Sequence, residues 1–155
     1  MHTEDSPEEP TEHARSGRHL IALEQVADGH AVELVRCVLT GPDQVMAQAA
    51  VVRHLDRRAA ELCPEAVWRG WAGAMALVAA GRPFLMRRLR EWSLFRSVAL
   101  RLPWHRGGVL AASEWLRLRT AAGSNPEALA VLAGHGRTKG IRSTARAGLT
   151  LLNPA

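Results

Sequence analysis

Tyrosine is absent from this 155-residue chain, lysine occurs once, and only two cysteines and two phenylalanines are present. Each shortage excludes something. Cys37 and Cys63 cannot build a disulfide framework, and the simpler expectation is a reducing, cytoplasmic setting, with both thiols read as small buried hydrophobes. The seven histidines (His2, His13, His19, His30, His54, His105 and His135) include no HExxH or HxxxH pair, and no CxxC accompanies them. First-shell number and spacing therefore both fail for a metal site. No GxSxG elbow, GxGxxG turn or Gly-rich phosphate loop occurs, so the expectation is no enzyme, no cofactor and no metal. No apolar run approaches the ~20 residues of a membrane span, so no membrane contact is expected. The acidic N-terminus matches neither a signal nor a transit peptide. Sustained alternation with β-branched residues is missing too, which leaves strands without support.

What is present is arginine: nineteen, against the single Lys139. Such a ratio with abundant alanine is the signature of a GC-rich genome, so part of it is mutational bias. The formal charge of +5 also hides a division. Residues 1–65 sum to −6 and residues 66–155 to +11, the latter with only Glu91, Glu114 and Glu127 as acids. Residues 1–18 read as a disordered acidic tail. Glu4, Asp5, Glu8, Glu9 and Glu12 alternate with Pro7 and Pro10, and no leucine, isoleucine or valine precedes Leu20. Such a segment cannot bury enough surface to offset its ordering entropy. Two readings of it stand side by side: it keeps a basic protein in solution, or it docks on the basic half and competes with an external anion.

Residues 19–155 read as a single helical domain, with Pro and Gly marking breaks between segments of helix length. About seven to eight helices are expected, near 18–28, 30–40, 43–62, 64–80, 83–102, 107–122, 125–134 and 138–152. The segment 64–80 is apolar around most of its circumference and carries Arg69, which predicts a central helix covered on several sides. In 83–102, 100° steps place Phe84, Leu85, Leu89, Trp92, Phe95, Ala99 and Leu102 in one sector and Arg87, Arg90 and Arg101 opposite it. Arg88 falls inside the apolar sector and is expected to snorkel or to meet an acid such as Glu114.

The last two segments read SNPEALAVLAGHGRTKGIRSTARAGLTLL. Ser124 or Asn125 can cap the first, Pro126 opens it, and Gly134-His135-Gly136 ends it. Thr138 can cap the second, in which Ile141, Ala145, Gly148, Leu149 and Leu152 share a face. This pair resembles a HEAT-type helical repeat, whose second helix runs aliphatic, Arg, small, Leu; here those places hold Ile141, Arg142, Ala145 and Leu149. A second echo lies in AVELVRCVLTGPDQVMAQAAVVRHL, with Val45, Ala49, Ala50 and Leu55, and with Met46 where the pattern has Arg. The resemblance implies an all-α fold, a HEAT-like repeat stack (alternatively an irregular helical bundle), and a scaffold that binds proteins or nucleic acids on an extended surface.

Two functions follow as expectations: a non-enzymatic adaptor that binds another protein, or a module that binds nucleic acid or another polyanion through its phosphate backbone. Lys139, Arg142 and Arg146 follow i, i+3, i+7 spacing on one stripe, with Arg137 just before them. With Arg87, Arg90 and Arg101 they are the candidate partner-binding or polyanion-binding residues. A solvated face enriched by genome bias is the plain alternative. Trp104, in Leu102-Pro103-Trp104-His105-Arg106, is the one tryptophan expected in a loop, where it could stack on a base or anchor a protein contact.

Overall fold

In a computed structural model of the chain, residues 12–62 and 65–154 are described. All regular elements among them are α-helices: α1 (Glu12–Gln25), α2 (Asp28–Leu39), α3 (Gln44–Glu61), α4 (Glu65–Ala79), α5 (Pro83–Ala99), α6 (Arg106–Ala111), α7 (Glu114–Ala121), α8 (Pro126–His135) and α9 (Lys139–Leu152). The all-α expectation therefore holds, with nine described helices. Residues 1–11 of the acidic tail, and Cys63, lie outside the described residues, while residues 12–18 open α1. The expected helical domain contains two compact units, the first running to Met86 and the second from Arg87, so the division falls within α5.

In the first unit α1, α2 and α3 pack on one another and α4 packs on α2. Leu23, Val35, Val38, Leu39, Val51, Leu55 and Met75 are among its buried side chains. Asp43 caps α3 by accepting from the Met46 amide at 3.1 Å. Carbonyls at helix C-termini are met by basic side chains. Arg57 donates to Leu23 O and Glu24 O, both at 2.7 Å, and His54 Nδ1 donates to Leu23 O at 3.1 Å. Arg82 reaches Leu39 O at 2.9 Å. Two expectations fail here. Helix α4 is not covered on several sides: Trp68, Met75, Val78 and Ala79 are buried, but Val67 and Leu77 are exposed and Gly70 and Gly73 face open space. Cys37 is exposed on α2 rather than buried, because Val35, Val38 and Leu39 take that helix's core face.

In the second unit α8 packs on α9, α7 on both, and α6 on α7 and α8. Val98, Val109, Ala121, Ala128, Leu129, Leu132, Ile141 and Ala145 form one buried cluster, against which Leu94, Trp104 and Leu149 pack. The expected helix 107–122 is two helices. Ser113 interrupts it: the Ser113 hydroxyl accepts from the Leu116 amide and donates to Glu91, whose carboxylate also accepts from the Ser113 amide at 3.3 Å. A serine with its amide held by a buried acid starts a new helix instead of continuing the old one. Arg88 lies with its guanidinium carbon 3.9 Å from the centre of the Trp115 ring, and Arg119 lies 4.6 Å from that of Trp92. Asn125 caps α8 and Thr138 caps α9. Between them Gly136 is obligatory, since a Cβ there would sit 2.5 Å from Leu132 O and 2.9 Å from Ile141 Cγ2. The apolar sector of α5 also differs at its edges: Leu85, Leu89 and Trp92 are buried, but Phe84 and Ala99 are exposed and Leu102 lies beyond the helix.

Candidate functional site

Helix α5 ends in a turn with an unusual residue. The Arg101 amide donates to Val98 O at 3.3 Å and the Leu102 amide to Ser97 O at 2.8 Å. These are the paired bonds of a Schellman motif, whose turning residue is normally glycine. Here it is Arg101, with φ of 58°, the one non-glycine residue at positive φ among the described residues. A side chain there costs roughly 1 kcal/mol relative to glycine. The chain then runs through Leu102 to His105 without helix, and α6 begins at Arg106. Trp104 is half-buried; it packs on the core cluster and also reaches the surface.

The turn and α8 border a groove of about 730 Å³. Arg101, Leu102, Pro103, Trp104 and Arg106 line one side, and Asn125, Pro126, Glu127 and Val131 the other. Asn125 joins the two sides. Its Oδ1 accepts from the Glu127 and Ala128 amides at 3.1 and 3.2 Å, and its Nδ2 donates to Val98 O at 2.8 Å, the carbonyl that also serves the Arg101 turn. The amides at the start of α8 are thus largely occupied by their own cap. Arg101, Arg106 and Glu127 are exposed, and none of the three has a hydrogen-bonding or ionic side-chain partner among the described residues. Electrostatic attraction in the groove therefore comes from two guanidinium groups, opposed by one carboxylate.

Of the candidate residues, Arg101 and Trp104 meet in this groove; the others do not. The Arg87 Nε donates to the buried Glu91 at 3.1 Å. Arg90 is exposed beside a shallow depression of about 310 Å³ that Arg87, Glu91 and Gly108 also line. Arg137 and Lys139 are exposed between α8 and α9. Arg142 and Arg146 turn back to the end of α8, donating to Gly136 O at 2.8 Å and Ala133 O at 3.3 Å. Their charges complement the negative end of that helix. The sequence reading did not single out Arg106, Asn125 or Glu127 as groove residues. Arg106 closes the loop stretch expected around Trp104, but the link from Asn125 to Val98 spans 27 residues and leaves no local signal.

Among the described residues no group of three or more His, Cys, Asp or Glu side chains is placed to hold a metal ion, and no helix is long and apolar enough to cross a membrane. No family model, no curated protein and no solved structure matches the chain.

Proposed function

We propose that this chain is a non-enzymatic adaptor, built as a HEAT-like helical repeat, that binds another protein through the groove beside Trp104. The groove is the observation that carries the reading. It combines a tryptophan anchored in the core, two unpaired arginines and one acid of opposite sign, a composition suited to a partner of mixed chemistry. The packing of α6 on α8 and α7 on α9 supports a stack of helix pairs. So does the division of 107–122, which gives the two repeat-like second helices, α3 and α9, the same parity. A cytoplasmic setting goes with this reading.

The alternative, binding along a phosphate backbone, has less support. Arg87, Arg142 and Arg146 each have an intramolecular acceptor. Retention on heparin and on duplex DNA at ~50 mM salt separates the two. The expected result is no retention. Retention with a steep salt slope that falls on replacing Arg137→Glu and Lys139→Glu overturns the protein-partner reading. Those two positions are chosen because reversing Arg142 or Arg146 would place acids at the end of α8 and confound binding with stability.

A further inference from the structure

We infer that the groove binds an extended acidic peptide, Arg101 and Arg106 taking its carboxylates and Trp104 taking an apolar side chain. This rests on the protein-binding reading and names the chemistry of the partner.

Four observations converge on it. First, Arg101 holds a left-handed conformation that glycine would adopt without cost, and its side chain borders the groove. Strain retained at a surface turn is explained by what the side chain does there. Second, Arg101 and Arg106 lack partners among the described residues, while Arg117, Arg142 and Arg146 of the same unit donate to main-chain carbonyls and Arg87 donates to Glu91. A planar guanidinium presents paired donors that match a carboxylate. Third, the Leu102–His105 stretch is non-helical, and the Trp104 amide N–H has no hydrogen-bond partner among the described residues. A peptide laid along the loop can accept from that amide, as extended ligands do from an unpaired strand edge. Fourth, Glu127 borders the same space. A phosphate backbone carries charge at every residue and would place some of it against this carboxylate. A peptide can set an uncharged residue there, and like-charge juxtaposition is what discriminates between such partners. The tryptophan with Pro103 and Leu102 offers an apolar wall of the kind that receives proline or leucine.

The test uses the full chain and a fluorescein-labelled peptide repeating Glu-Glu-Pro-Leu, followed by fluorescence anisotropy. Its Gln-Gln-Pro-Leu counterpart and an oligothymidine of matched length serve as comparisons. The acidic peptide is expected to bind with micromolar affinity and to outbind both comparisons at least tenfold, roughly the loss of one charge-assisted contact. Arg101→Gly is expected to weaken binding by about tenfold while raising Tm by about 2–4 °C, a combination that a purely structural role cannot give. Trp104→Ala is expected to abolish binding, and Trp104→Phe, which keeps a ring in the core, to retain most of it. Equal binding of the acidic and glutamine peptides overturns the inference, as does unchanged affinity in Arg101→Gly or tighter binding of oligothymidine. No binding of any probe, with heparin also ignored, removes the acidic-peptide assignment and leaves the protein-partner reading standing. Heparin retention through Arg137 and Lys139 removes that reading itself.

Discussion

The Asn125 side chain makes three hydrogen bonds from a position only 8% exposed: two accepted from the start of α8 and one donated to the end of α5. An isosteric change separates these roles. Asn125→Asp keeps the two cap acceptors and replaces the donor to Val98 O with a carboxylate oxygen, so two acceptors face each other in a buried place. The variant is expected to lose about 1–3 kcal/mol of stability, read as a lower urea midpoint at unchanged slope. The groove should loosen with it, because Val98 O also anchors the Arg101 turn. An unchanged midpoint would mean the α5–α8 link contributes nothing.

At the scale of the element, the break between α6 and α7 rests on Ser113. Replacing Ser113→Ala removes the cap of α7 and leaves Glu91 without a hydroxyl donor. Its cost is expected at about 2–3 kcal/mol, the sum of a lost cap and a poorly satisfied buried carboxylate. Glu91→Gln in the same background should restore part of it, a coupling that a double-mutant cycle measures. This region also marks how far the sequence could be read. Helix existence was legible from Pro, Gly and cap residues, and Pro126, Thr138 and the ends of α8 and α9 follow local rules. The split at Ser113 was not, since Ser-Glu inside an otherwise helical run becomes a start only when Glu91, 22 residues earlier, holds its amide. Helix α4 misled for a related reason. Its composition predicts cover on several sides, but composition cannot say how many neighbours arrive, and Val67 and Leu77 stay exposed. Within the groove, Arg101 and Trp104 were legible as residues; their meeting with Arg106 and Glu127 was not, because it depends on α8 lying beside the end of α5.

Across the whole molecule, the charge division dissolves into local duties. Arg57 with His54, Arg82, Arg117, and Arg142 with Arg146 donate to carbonyls at the ends of α1, α2, α6 and α8. Arg36 and Arg58 pair with Glu33 and Glu61 on their own helices. Many of the arginines are therefore placed at helix ends or beside acids of their own helix, while Arg90, Arg101, Arg106, Arg137 and Lys139 have no hydrogen-bonding or ionic side-chain partner among the described residues. The second compact unit has a buried cluster of its own, Val98 to Ala145, with Leu94, Trp104 and Leu149 of the same unit packed against it. A fragment of residues 83–155, which keeps α5 whole, is expected to fold alone, giving a helical circular dichroism spectrum and one cooperative thermal transition. A featureless melt would show that the second unit needs the first.

The left-handed turn at Arg101 has a consequence for the gene as well as for the fold. Every arginine codon lies a single base change from a glycine codon, so the relaxed form of this turn is always within reach of one mutation. A library of random variants screened only for heat resistance should recover that change early. The same library screened for peptide capture should discard it.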